Sequence, residues 1–183
     1  MNVKITAPLS KETAQSLKSG DMVFISGTIY TARDAAHKRM YDSLRNGEQL
    51  PFDITDNIIY YMGPSPAREG RAIGSAGPTT ASRMDKYAPE LLDLGLRGMI
   101  GKGKRTVEVK DAIIRNGAVY FAAIGGAGAL LSKSIVKSEV IAYDDLGTEA
   151  IRKLQVVDFP AIVVIDSQGN NLYETAIEEF KKD

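Results

Sequence analysis

The sequence predicts an α/β domain layered around a central mixed sheet. Short β-branched or aromatic runs alternate with segments of helical spacing along the chain, the pattern of strands joined by helices. The run Ala161-Ile162-Val163-Val164-Ile165 is apolar at every position, which requires a covering layer on both faces of its sheet. No internal repeat or low-complexity stretch divides the chain, so residues 1–183 read as one domain.

Taken in order, Lys11 to Leu17 has helical spacing and Met22 to Ser26 is the first strand-like run. Ala32 to Leu44 is helical by spacing, and Asn57 to Met62 is strand-like. The stretch from Gly63 to Gly77 is rich in Gly and Pro, which fits a functional loop better than a linker. Thr80 to Leu94 is predicted helical, Met99-Ile100 ends a strand, and Val107 to Arg115 is again helical. Ala118 to Ile124 is a strand, Ala127 to Val136 a helix, and Glu139 to Tyr143 and Ala161 to Asp166 are strands. Asp166-Ser167-Gln168-Gly169-Asn170 is a turn signal after which Leu172-Tyr173 pairs back as a hairpin, and Ala176 to Lys181 forms a terminal helix.

A chain of 183 residues removes roughly two-thirds of its unfolded surface from water and holds a real core. With 44% hydrophobic and 25% charged residues, it reads as globular rather than disordered. The 23 basic and 23 acidic residues cancel, leaving no overall field to steer the protein to nucleic acid or an anionic membrane. Anion recognition must therefore be local. The chain has no cysteine, which excludes disulfides, thiolate catalysis and self-supplied iron-sulfur or thiolate-zinc ligation. Neither a signal peptide nor a membrane-length apolar run is evident, so the expectation is a cytoplasmic protein.

Four stretches carry residues suited to chemistry. In Gly74-Ser75-Ala76-Gly77-Pro78-Thr79-Thr80-Ala81-Ser82-Arg83-Met84-Asp85, glycines lead through a proline into a helical segment. That is the outline of an anion site at a helix N-terminus. Thr79 and Arg83 would share one helical face, so a hydroxyl and a guanidinium would meet one ligand; alternatively a threonine caps the helix and Arg83 is solvated. In Gly27-Thr28-Ile29-Tyr30-Thr31-Ala32-Arg33-Asp34-Ala35-Ala36-His37-Lys38-Arg39, a strand end turns into a helix bearing the only histidine. Arg33 would hold a carboxylate beside His37, whose imidazole moves a proton near neutral pH; a lone histidine serves equally as a structural hydrogen-bonding group.

In Gly101-Lys102-Gly103-Lys104-Arg105, flanking glycines let backbone approach a ligand while Lys102 supplies a point charge. An ordinary basic turn is the alternative, and the spacing is not that of a phosphate-binding P-loop. Gly125-Gly126-Ala127-Gly128-Ala129 matches the dinucleotide fingerprint poorly and reads as close packing or backbone approach to a ligand.

These motifs occur in order, together with Met62-Gly63-Pro64 and Asp158-Phe159-Pro160-Ala161. The combination resembles the β subunit, or C-terminal domain, of class I iron-sulfur fumarases and L-tartrate dehydratases across nearly the whole chain. The resemblance implies a swivelling β/β/α domain. It also implies a cysteine-bearing α subunit that holds a 4Fe-4S cluster on three cysteines, whose open iron acts as a Lewis acid, in an α2β2 assembly. Carried over by motif, Arg33, Arg83 and Lys102 bind the carboxylates of a four-carbon dicarboxylic acid. Thr79 is the candidate base and His37 the second catalytic candidate. The implied reaction is reversible hydration of fumarate to malate, or dehydration of tartrate, with the wording of the motifs closer to the fumarase branch. Two readings from other classes stand beside it: a swivelling phosphohistidine carrier using His37, and a dicarboxylate-binding module needing no partner.

Overall fold

The computed structural model describes residues 2–64, 70, 72–74, 76–124 and 131–175. Five parallel strands come first: β1 (Asn2–Ala7), β2 (Met22–Thr31), β3 (Ile58–Tyr60), β4 (Gly98–Gly101) and β5 (Val119–Ala123). Two antiparallel strands follow, β6 (Ile135–Ala142) and β7 (Ile151–Ile165). Ala161 of β7 is opposite Ala123 of β5 on one edge and Val23 of β2 on the other. The sheet therefore returns on itself through β2, β3, β4, β5 and β7, which removes strand edges that would otherwise template association. In the first half of β7, β6 takes the edge that β5 holds in the second.

Alternation along the ring strands sorts the core into two parts. Ile25, Ile58, Tyr60, Ile100, Phe121 and Phe159 belong to one buried cluster, which draws on every ring strand. Ile59, Tyr61, Met99, Tyr120 and Val164 point the other way, into a cluster shared with the helices. Those helices are α2 (Asp34–Arg45), α3 (Ala88–Asp93) and α4 (Val107–Asn116), which bury Met40, Leu91 and Ile113 respectively. A further short helix, α1 (Lys11–Ser16), buries Ala14 against the first cluster. No helix among the described residues is long and apolar enough to cross a membrane.

The helix expected at Val107 to Arg115 is α4, started by Thr106, whose side chain accepts from the Val109 N–H, and ended by Gly117 in the left-handed region. The central mixed sheet with both faces covered is present. Elsewhere, long-range pairing overrides local pattern. The segment Thr80 to Leu94 is not one helix but a short 3₁₀ turn (Ala81–Met84) followed by α3. In the predicted helix Ala127 to Val136, residues 127–130 lie outside the described residues, while Ile135 and Val136 begin β6, where Ile135 pairs with Val156 of β7. Leu172 and Tyr173 do not form a hairpin strand: a single bridge joins Ile165 to Asn171, and a helical turn follows. The terminal helix expected at Ala176 to Lys181 lies outside the described residues. Strands β1 and the first half of β7 went unpredicted, although Val3, Ile5 and Ala7 alternate as a half-buried strand should.

Two ion pairs show how burial sets the worth of a charge. Arg39 and Asp145 pair with side chains 39% and 63% exposed, whereas Arg105 and Asp85 pair at 0% and 5%. Exposed pairs are screened by water, but removing one member of a buried pair strands the other charge. We expect Asp85→Ala to lower unfolding free energy by about 3–5 kcal/mol and Arg39→Ala to leave the denaturation midpoint nearly unchanged, as measured by urea titration followed by circular dichroism.

Candidate functional site

Neighbouring parallel strands all end on the same side, so the loops that follow them gather there, whether the sheet is open or closed. Here Arg33 follows β2, Tyr61 to Gly63 follow β3, and Lys102 follows β4. The motifs that are far apart in sequence therefore share one end of the sheet.

Arg33 is the residue before α2, in extended conformation with φ −114° and ψ −160°. Its carbonyl accepts from the His37 backbone N–H at 2.9 Å and lies 2.8 Å from His37 Nδ1. A carbonyl only accepts, so Nδ1 carries the proton of the neutral ring and Nε2 is left as an acceptor. His37 is 1% exposed, its ring edge-on to Tyr61 at 5.4 Å and tilted against Tyr87 at 5.9 Å. Burial lowers its pKa to about 4, and the Arg105 charge acts in the same direction. Across from α2, Gly63 leaves room for the Arg33 side chain: a Cβ there would meet Arg33 Cδ and Nη1, each at 2.9 Å. The Ala35 N–H in the first turn of α2 donates to Glu149 Oε1 at 3.2 Å, which satisfies one free donor of the helix start.

The second cation, Arg83, is exposed on its 3₁₀ turn, and its Nη2 donates to Asp34 Oδ2. Arg83 is thereby joined to the residue that follows Arg33. Thr79 is half-buried, and its backbone N–H donates to the Tyr61 carbonyl at 2.6 Å. Thr80 bridges Lys102 in parallel register, and the Ala81 N–H donates to the Lys102 carbonyl at 2.8 Å. Thr79 and Thr80 thus extend the sheet rather than opening a helix. This corrects the expected geometry, in which Thr79 and Arg83 share a helical face: backbone bonds to Tyr61 and Lys102 compete successfully with a helical turn, and Thr80 makes no side-chain cap bond. Gly101 permits the contact, because a Cβ there would lie 2.8 Å from Tyr61 Cδ2 and 3.0 Å from Ala81 Cβ. Lys102 itself is exposed.

Beneath these segments lies the buried pair missed at the sequence level. Asp85 accepts from Arg105 Nε at 2.7 Å and from the Thr106 N–H at 2.7 Å. Arg105 Nη2 donates to the Tyr61 hydroxyl at 3.1 Å, and its guanidinium lies over the Tyr61 and Tyr120 rings at 5.2 and 4.7 Å. Burial opposes the Arg105 charge, but Tyr61, Asp85 and Tyr120 more than offset it and hold the pKa above its ordinary value. In sequence Arg105 is indistinguishable from its neighbour Lys104, which is exposed. The structure thus brings Arg33, His37, Thr79, Arg83 and Lys102 to one end of the sheet, through Asp34, Tyr61 and shared backbone bonds. The Gly125 to Ala129 loop lies outside the described residues.

Among the described residues no group of three His, Cys, Asp or Glu is arranged to hold a metal ion. With no cysteine in the whole chain, the donor set does not fit an iron-sulfur cluster. What this end of the sheet offers is cations of two geometries, a threonine and a buried neutral histidine, side chains of a kind suited to small carboxylates.

Comparison with known proteins gives a match to the family model described as "Fumarase C-terminus" over residues 1–176. The chain is 44% identical over 152 residues to "Fumarate hydratase class I, aerobic" of Escherichia coli strain K12, a match covering 82% of this chain and 28% of that protein. It is 38% identical over 181 residues to "Fumarate hydratase 2" of Leishmania major, covering 97% of this chain and 32% of that protein. It is 40% identical over 172 residues to "Putative L(+)-tartrate dehydratase subunit beta" of Methanocaldococcus jannaschii, covering 91% of this chain and 88% of that protein. The chain therefore spans about a third of the fumarate hydratases it matches and most of the tartrate dehydratase subunit.

The burial of His37 has a measurable consequence. Its folded pKa of about 4 lies below the ordinary 6.5, so between these values the unfolded chain binds more protons than the folded one. Stability is unaffected by this group above pH 6.5 and falls by roughly 3 kcal/mol as pH drops from 6.5 to 4. Urea unfolding of His37→Asn and wild type across that range should show a shallower pH dependence in the variant. Parallel curves would mean that the imidazole titrates normally in the fold.

Proposed function

The chain belongs to the Fumarase C-terminus family, and from that premise we propose that it is the β subunit of an iron-sulfur-dependent hydro-lyase, hydrating fumarate to malate at a site shared with a cysteine-bearing α subunit. In this reading residues 1–183 act as one swivelling β/β/α domain in a cytoplasmic α2β2 assembly. The 4Fe-4S cluster belongs to the α subunit, since this chain has no cysteine with which to hold it.

The observation that supports the reading is that Arg33, Thr79, Arg83 and Lys102 all stand on segments that leave β2, β3 and β4 at their carboxyl ends. A four-carbon dicarboxylate presents two anionic ends, which planar guanidinium forks and a mobile ammonium hold well. Arg33 and Arg83 orient the substrate, Lys102 reaches it from the glycine-flanked turn, and Thr79 delivers the proton to the carbon beside a carboxylate in hydration and takes it back when malate loses water in the reverse reaction. A threonine alcohol is a weak base in isolation, so the surrounding cations must favour its ionised form in the closed site. His37, buried and bonded to the Arg33 carbonyl, supports the cation rather than meeting the substrate.

Tartrate dehydration is the second reading, favoured by the 88% coverage of the relative named as a tartrate dehydratase subunit. A phosphohistidine carrier is less compatible with the site, because phosphoryl transfer needs an accessible ring nitrogen and His37 is 1% exposed. A binding module working alone would leave the family membership unused.

The test is to produce the chain with a cysteine-bearing α subunit, purify the complex without oxygen, and follow fumarate absorbance on adding malate, with tartrate as a parallel substrate. Activity should require both chains. Arg83→Ala should lower kcat/KM about 100-fold, the loss expected for two charge-assisted hydrogen bonds. Thr79→Val should lower kcat by about 10²–10⁴ with KM nearly unchanged, the range for a lost acid-base group. Full activity in Thr79→Val would remove this residue from proton transfer, and a complex inactive on both acids would overturn the reading.

A further inference from the structure

Arg83 has a carboxylate partner that the sequence did not single out. Asp34 is the first residue of α2, immediately after Arg33, and its Oδ2 accepts from Arg83 Nη2 across the site. No second ion pair of Arg83 is present among the described residues. The guanidinium has five donors in a rigid fork, and one contact leaves the others for a ligand.

The magnitudes decide what this pair is for. The side chains are 51% and 35% exposed, and pairs in such surroundings contribute little to folding stability. The 3₁₀ turn that carries Arg83 is four residues long and its Thr80 cap makes no side-chain bond, so local structure holds the arginine loosely. An unheld arginine gives up rotamer freedom when it grips a ligand. A partner that holds it beforehand lowers that cost without competing for the whole fork. Asp34 is itself well anchored. Arg33 just before it has its carbonyl bonded by His37, and Ala35 just after it has its N–H bonded by Glu149. A carboxylate in the first turn of a helix is also favoured by the helix dipole.

We infer that Asp34 is a positioning residue, which holds the Arg83 guanidinium in the orientation that grips the far carboxylate of the substrate. The role rests on the dicarboxylate reading of the site. Asp34 touches Arg83 and not the reacting atoms, so its effect falls on binding that is equal in ground and transition states.

The test uses the complex with the α subunit and four forms of this chain: Asp34→Ala, Asp34→Asn, Arg83→Ala, and the Asp34→Ala, Arg83→Ala double variant. Asp34→Ala should raise KM about tenfold with kcat within about twofold, and Asp34→Asn, which keeps an acceptor oxygen, should recover most of the loss. In the Arg83→Ala background, Asp34→Ala should add less than about twofold, because the double-mutant cycle removes a shared contact. A second readout is independent of turnover. In this chain labelled with ¹⁵N-arginine, the Arg83 Nη signals should be separate in the wild type and merged in Asp34→Ala as rotation about Nε–Cζ becomes free. A lower KM in Asp34→Ala would mean that the carboxylate competes with substrate, and additive effects in the cycle or unchanged Arg83 signals would mean that it does not position Arg83. Each overturns the inference while leaving the hydro-lyase reading intact. A wild-type complex inactive on malate and tartrate overturns both.

Discussion

Asp85 binds two donors at once, the Nε of Arg105 and the backbone N–H of Thr106, and the arrangement of the site hangs on that clasp. It ties the segment carrying Thr79 and Arg83 to the turn carrying Lys102. Arg105 then reaches the Tyr61 hydroxyl, and the Tyr61 carbonyl takes the Thr79 N–H. Two stretches of the connection leaving β3 and the turn leaving β4 are thus held in one register by a single buried charge pair and the tyrosine above it. Because both charges are removed from water, neither has an alternative partner of equal quality, and the geometry is correspondingly insistent.

That clasp explains why glycine stands at two neighbouring positions. Gly101 lets Tyr61 and Ala81 close over the end of β4, and Gly63 lets the Arg33 side chain lie across the end of β3. At either place a methyl group would force apart the segments that the hydrogen bonds draw together. The same close packing leaves His37 as a neutral ring locked between Tyr61, Tyr87 and the Arg33 carbonyl, which suits a support better than a proton carrier.

The division of labour follows from composition. A chain with balanced charge and no thiolate offers cations, a hydroxyl and a rigid sheet. It does not offer a soft-metal ligand set, and in the hydro-lyase reading that half of the chemistry comes from the α subunit. A site completed by a second chain gains from cations that are oriented before assembly, since each unheld side chain would add its ordering entropy to the cost of forming the closed state.

By itself the sequence determined the α/β alternation, the doubly covered sheet, the helix over Val107 to Arg115, and the lack of thiolate chemistry. These are local or compositional properties, set by side-chain period, caps and residue count. It also singled out Arg33, His37, Thr79, Arg83 and Lys102 as candidate site residues, through ordered motifs. Only the tertiary structure decided how they meet. Ring closure through Ala161, the extended course of Thr79 and Thr80, the burial of His37 and Arg105, and the reach of Asp34 to Arg83 all depend on hydrogen bonds and packing between distant segments. Such contacts leave no periodic signature, because the same Arg or Thr can face water or a buried partner with identical neighbours in sequence, and only the folded chain fixes which it meets.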